Sequence, residues 1–200
     1  MTADILTALI GFAFVSSITP GPNNLMLMAS GANFGMRRTL PHMLGISLGH
    51  AFMMTLVGLG LGRLFLAYPL VKSAMLVACL GYLLYLSWKI GNAAAPGDGK
   101  AGGRPLTFLE AAGFQWINPK GWYMALTAIT AYMPETMGHW GAPLVSLVFA
   151  ATNFPSILIW AGLGTQVRRL LTDHRKLRAF NWTMAGLLLL TLAPILRDLW

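Results

Sequence analysis

Six apolar runs, at residues 4–32, 41–66, 69–90, 108–132, 142–166 and 180–199, occupy nearly the whole of this 200-residue chain. Each is long enough to cross a bilayer, which takes roughly 20 mostly apolar residues. Hydrocarbon offers no water to the backbone, so a span must satisfy its own N–H and C=O groups, and runs of this length do so as helices. The chain therefore reads as an all-α membrane protein with six transmembrane helices. Composition agrees: 56% of residues are hydrophobic and 10% charged, against about 25% charged in a typical soluble domain. The opening MTADILTALI lacks a basic n-region and is expected to be a retained span. A single cysteine, Cys79, allows no internal disulfide and reads as a small packing residue.

The chain carries 14 Lys and Arg against 6 Asp and Glu. These cations cluster at the ends of the spans, which favours membrane lipids over nucleic acid as the partner. With the N-terminus outside, ten fall on the inner side: Arg37, Arg38, Lys89, Lys100, Arg104, Arg168, Arg169, Arg175, Lys176 and Arg178. Arg63, Lys72 and Arg197 fall outside, and Lys120 lies within the fourth span. The positive-inside rule thus places both termini outside the cell (inner) membrane.

The Gly- and Ala-rich stretch NAAAPGDGKAGGRP reads as a flexible cytoplasmic linker, 92–107, inside a single transporter domain. It separates repeat 1 (4–91) from repeat 2 (108–200). The halves match in order: SITPG at 17–21 with WINPK at 116–120, GLG at 60–62 with GLG at 162–164, and Gly81 with Gly186. Three spans per repeat force the second copy to run inverted, an architecture whose sites lie near mid-membrane at discontinuous helices.

The stretch SITPGPNNLM supplies such a discontinuity. Pro20 and Pro22 have no N–H, so the carbonyls of Ser16 and Ile18 lose their helical partners. Broken backbone at membrane depth is tolerated only against protein or a wet cavity. The half-helix starting near Asn23 and Asn24 would aim free N–H groups and a partial positive charge into that space, and both suit a carboxylate. In the second half, Asn118-Pro119-Lys120 repeats the design, Pro119 releasing the carbonyl of Gln115 and Lys120 adding a full charge. Pro20, Gly21, Pro22, Asn23, Asn24, Asn118, Pro119, Lys120 and Asn153 are accordingly the candidate substrate-binding residues.

TPGPNN, the glycine-punctuated GISLGHAFMMTLVGLGLG at 45–62, the G-Y-L run at 81–83 and INPKGW at 117–122 resemble the LysE/RhtB family of amino-acid exporters. The resemblance covers essentially the full chain. It implies export of an amino acid or close derivative from the cytoplasm, coupled to proton entry. Many members carry an acidic residue directly after PGP; Asn23 stands there in this chain, which removes an obvious proton carrier.

His50 is read as the only histidine well inside a span. It is either the proton-coupling group or a neutral imidazole bonded to a facing helix. Lys120 has three readings: binding the substrate carboxylate, pairing with Glu110 or Asp98, or snorkelling to an interface. Asn153 and Pro155 interrupt the fifth span and are expected to turn it toward the cavity. Gly45 with Gly49, and Gly58 with Gly62, have the spacing that lets helix backbones approach closely. Trp88, Trp140 and Trp200 fit interfacial belts, whereas Trp122 and Tyr123 follow NPK closely enough to watch.

The sequence has no H-E-x-x-H, no G-x-S-x-G and no pair of intramembrane carboxylates, so an enzyme is not expected and no catalytic residue, cofactor or metal is assigned. A passive small-solute channel is the nearest alternative to a secondary transporter, with an integral membrane enzyme further off. A small zwitterion suits a site of helix N-termini and one Lys. A homo-oligomer stays open.

Overall fold

The computed structural model describes residues 1–93, 103–171 and 173–193, without the side chains of 64–66 and 135. Asp98, Lys100, Arg197 and Trp200 lie outside the described residues, as do most of the linker and the end of the sixth run. Among the described residues the regular structure is all helical, with no strand.

Helix α1 (Ala3–Ile18) starts where the Thr2 hydroxyl accepts the Ile5 N–H, and α2 (Pro22–Phe34) starts on a proline. Proline is suited to a first helical position, where its missing N–H costs nothing. The pair is bent by 58°. Next come α3 (Met36–Leu56), which runs through a π-helical turn at Val57–Leu61 into α4 (Gly62–Ala67), and α5 (Pro69–Gly91). The expected start of the second span at 41 is five residues late: the helix begins at Met36 and carries Pro41 inside it. Arg37 and Arg38 had masked its first turn.

The second half begins with α6 (Phe108–Gln115), held by reciprocal bonds between Thr107 and Glu110, a capping box. It breaks at residues 116–118 and resumes as α7 (Pro119–Tyr132). A 3₁₀ stretch, Glu135–Trp140, leads into α8 (Gly141–Arg168), and α9 (His174–Leu190) closes the described chain. Pro155 does not interrupt α8 as the sequence implied; the helix is continuous past it.

Three helical stretches are long and apolar enough to cross a membrane, Met36–Leu61, Pro69–Gly91 and Thr136–Arg168, and the bent α1–α2 pair makes a fourth. The protein is thus a multi-pass membrane protein. The eight-residue α6, fourteen-residue α7 and seventeen-residue α9 fall short individually, so six full spans are not seen as such.

Helix α8 is the hub: it packs along α2, α3 and α1, while α3 also rests on α6 and α5 on α9. One core cluster, including Leu27, Ile46, Phe114 and Leu188, gathers α2, α3, α5, α6, α8 and α9. A second, including Leu9, Met53, Leu76, Ala125 and Phe149, gathers α1, α3, α5, α7 and α8. Gly45 and Gly49 take the packing role expected of them, because a Cβ on either would collide with α6 at Phe108–Ala112. Trp88 and Trp140 are exposed, as belt residues should be.

Candidate functional site

The break after α1 leaves carbonyls without helical donors, and a buried carbonyl must find one. Side chains supply them. Asn24 Nδ2 donates to Ser17 O at 2.8 Å and to Thr19 O at 2.9 Å. Trp160 Nε1 of α8 donates to Ile18 O at 3.0 Å. Lys120 Nζ of α7 reaches Thr19 O at 2.6 Å. The bend is held open by donors from both halves of the chain.

The second break is satisfied in a similar way. Trp116, Ile117 and Asn118 donate to carbonyls three residues back, a tightened helical end, and Asn118 thereby takes the Gln115 carbonyl that Pro119 releases. Trp122 Nε1 caps Trp116 O at 2.9 Å. Gln115 then ties the breaks together: Asn23 Nδ2 donates to its Oε1 at 2.9 Å, and its Nε2 donates back to Asn23 Oδ1 at 3.2 Å. The amide at position 23, where an acid was the family expectation, is thus matched to a neutral amide on the facing helix.

Between the breaks and α8 lies a narrow cavity with about 20 Å³ of free room, enough for one or two waters. Its polar wall comprises Ser16, Ser17, Asn23, Asn24, Asn118, Lys120 and Asn153. The N-termini of α2 and α7 open here without side-chain caps. Two buried acceptors, Asn118 Oδ1 and Asn153 Oδ1, have no hydrogen-bond partner. Such orphans are few in native proteins and call for an explanation. Asn153 is fixed by its other end, Nδ2 donating to Ser17 Oγ at 3.0 Å. The pocket therefore combines N–H groups and an ammonium, which suit an anion, with bare carbonyl oxygens, which suit a cation.

Seven of the nine candidate residues line this cavity: Gly21, Pro22, Asn23, Asn24, Asn118, Lys120 and Asn153. Pro20 does not; it is exposed on the outer side of the bend, on a groove with Trp160 and Met184. Pro119 starts α7 without lining the space. Lys120 does not pair with Glu110, whose carboxylate is held by Arg104 at 2.6 and 2.7 Å. Instead the Lys120 side chain lies over Gly21, where a Cβ would meet it at 3.0 Å. Of the two residues flagged after NPK, Trp122 is buried and Tyr123 points outward, exposed.

His50 is buried, and its Nε2 lies 3.0 Å from the Gly121 carbonyl, one residue beyond Lys120. A carbonyl can only accept, so the ring carries its proton on Nε2. A second histidine of the same helix is buried as well: His42, seven residues into α3, is 1% exposed. The sequence reading also missed Ser17, Gln115 and Trp160. Gln115 was detectable as a lone amide in an apolar run just before NPK, whereas Ser17 and Trp160 carry no local sign of their role.

The family model for the LysE type translocator matches residues 14–196. The chain belongs to that family. It is a translocator by descent and not an enzyme. Among similar proteins, a cysteine/O-acetylserine efflux protein of Klebsiella pneumoniae subsp. pneumoniae is 29% identical over 195 residues, covering 94% of this chain and 95% of the relative. Proteins of the same description from Escherichia coli K12 and Shigella sonnei are each 27% identical over 189 residues, with 94% and 95% covered. No solved structure gives a significant match. For a member of the LysE type translocators, the meeting of two helix breaks in one polar cavity is the natural place to look for the translocated molecule.

Proposed function

We propose that the protein is a secondary transporter that exports an amino acid or close derivative from the cytoplasm, coupled to proton entry. The observation that carries this reading is the pairing of opposite chemistries in the cavity: helix N-termini and Lys120 for a carboxylate, Asn118 Oδ1 and Asn153 Oδ1 for an ammonium. An α-amino acid presents both groups on one carbon. The relatives named for cysteine and O-acetylserine efflux support a neutral cargo of that size.

The present cavity is too small for any amino acid, so the cargo must enter by movement of the helices that carry the breaks. A closed site favours alternating access over a passive channel, since a channel conducts without first opening its binding site. In the occluded state Lys120 rests on Thr19 O; an incoming carboxylate competes for that ammonium and loosens the link between the two halves. The paired breaks support an inverted repeat, 4–91 and 108–200, with the gate between repeats.

His50 is the proposed proton carrier, because its bond to Gly121 O couples its protonation to the first turn of α7, beside Lys120. Gln at position 50 keeps an N–H for that carbonyl and cannot take up a proton. His50→Gln is expected to abolish pH-driven export while exchange of substrate across the membrane persists; a variant that exports normally over a pH series reduces His50 to a packing group. The proposed orientation, both termini outside the inner membrane, is read by thiol labelling in a Cys79→Ala background. Lys176→Cys is expected to label only from the cytoplasm and Thr136→Cys only from outside. Reversal of the two sides overturns the orientation.

The function itself is tested by comparing amino acids in the medium and cytosol of cells with and without the protein. Accumulation of one or a few neutral amino acids in the medium, against their gradient, is the expected result. Unchanged pools for every amino acid contradict the reading.

A further inference from the structure

A second cavity, with about 50 Å³ of room, lies at the other end of α2, between α2, α3, α5 and the residues leading into α6. Its polar lining is Ser30, Asn33, His42, Lys89 and Arg104. Most of that lining is already satisfied. Ser30 and Thr39 share a hydroxyl bond at 2.8 Å. Asn33 exchanges amide bonds with Asn181 of α9 at 2.7 and 3.0 Å, and Arg104 holds Glu110.

His42 is the exception. It is 1% exposed, and neither ring nitrogen has a hydrogen-bond partner. A neutral imidazole carries one N–H donor and one lone pair, and leaving such groups unmet in a buried place costs more than replacing them with an apolar side chain. A histidine stands here despite that cost, lining a void large enough for several waters. Apolar groups from Met26, Phe34 and Leu86 share the wall with it, together with Lys89 and Arg104.

We infer that this cavity is a second substrate site, a loading vestibule on the cytoplasmic side, in which His42 meets the polar end of a neutral amino acid before it reaches the helix breaks. The inference rests on the export reading above. Lys89, the one lining cation not paired with Glu110, attracts the carboxylate, the imidazole lone pair accepts from the ammonium, and the apolar wall covers a short side chain. Helix α2 joins the two sites: Asn23 and Asn24 of its first turn line one, and Met26, Ser30 and Asn33, further along toward its other end, line the second. A cargo passing along α2 exchanges one set of carboxylate and ammonium partners for another.

The chain has four histidines, so ring-¹⁵N spectra of the full-length protein in lipid nanodiscs resolve His42, assigned by its absence in His42→Leu. Titration with O-acetylserine, and separately with a mixture of the neutral amino acids, is expected to move the His42 signals saturably. The movement should persist in Lys120→Met, in which the other site is impaired. In cells, His42→Leu should raise the half-saturating internal concentration for export roughly tenfold, about the worth of one hydrogen bond. A His42 signal that stays still while cells export an amino acid of the mixture overturns the vestibule and leaves the export reading standing. A still signal with no export of any amino acid overturns both. A signal that moves in wild type but is lost with Lys120→Met assigns the effect to the other site and overturns independent binding here.

Discussion

Gly164→Val is expected to prevent the folded protein from accumulating, and Gly31→Val to do the same. A Cβ at 164 would lie 2.0 Å from the Met28 carbonyl oxygen, and one at 31 would lie 2.2 Å from the Ala161 carbonyl oxygen. Both obstacles are backbone, so no rotamer change relieves them and the α2 and α8 axes must separate. Overpacking usually costs about 1–3 kcal/mol; with two backbones in contact and no flexible neighbour to yield, the upper end or beyond applies. The crossing matters for function because α2 carries Asn23 and Asn24 while α8 carries Asn153 and Trp160. Gly186→Ala is the control, since a Cβ at 186 would meet nothing within 4 Å, and removing a helical glycine is worth up to about 1 kcal/mol. Yield and thermal unfolding of the purified variants measure both. Equal stability of Gly164→Val and wild type would mean that the helices do not cross this closely.

Replacing Pro20 and Pro22 together by Ala is expected to keep the protein folded and remove transport. Proline inside a helix is disfavoured by about 3 kcal/mol, so the two restored N–H groups pull the Ser16 and Ile18 carbonyls back into a continuous helix. Opposing this are the bonds from Asn24, Trp160 and Lys120 that hold the bend, each worth about 1 kcal/mol net. Two prolines at about 3 kcal/mol each outweigh four such bonds. The balance therefore favours a helical turn at 19–21, confined there by the packing of α1 and α2 on α8, and that turn withdraws the α2 N-terminus from the cavity. A loss of export of at least tenfold, about 1.4 kcal/mol in barrier terms, with an unchanged unfolding transition is the expected outcome. A double variant that folds and exports normally would show that the bend serves packing alone.

Much of this arrangement could be read from the chain. Proline fixes helix starts through its missing N–H, a local effect, and so the breaks at Pro22 and Pro119 fell where the sequence put them. Tight glycine packing at Gly45 and Gly49 was likewise legible from spacing. Partners across the fold were not. Nothing near Trp160 says that it caps Ile18, and nothing near Gln115 says that it pairs with Asn23, because those bonds join residues 142 and 92 positions apart. Lys120 was legible as a site residue, but its partner was not: Glu110 lies within reach in sequence, yet the turn at 116–118 carries Lys120 toward Thr19 and leaves Glu110 to Arg104. His42 lay at the very edge of the 41–66 run, and nothing in the sequence near it shows that α3 begins at Met36 and buries its ring.

Counterflow of a labelled neutral amino acid, chosen as one that cells with the protein export, by purified protein in liposomes, compared between wild type and Lys120→Met, tests most directly whether the two helix breaks form a site for an amino-acid carboxylate. Wild type should exchange the amino acid that it exports and reject the methyl ester of that amino acid, which has no carboxylate charge. Lys120→Met should remain folded and lose exchange by roughly tenfold or more, as expected for a hydrogen bond to a charged group. Exchange at the wild-type rate by Lys120→Met, or equal handling of the ester and the acid by wild type, would contradict it.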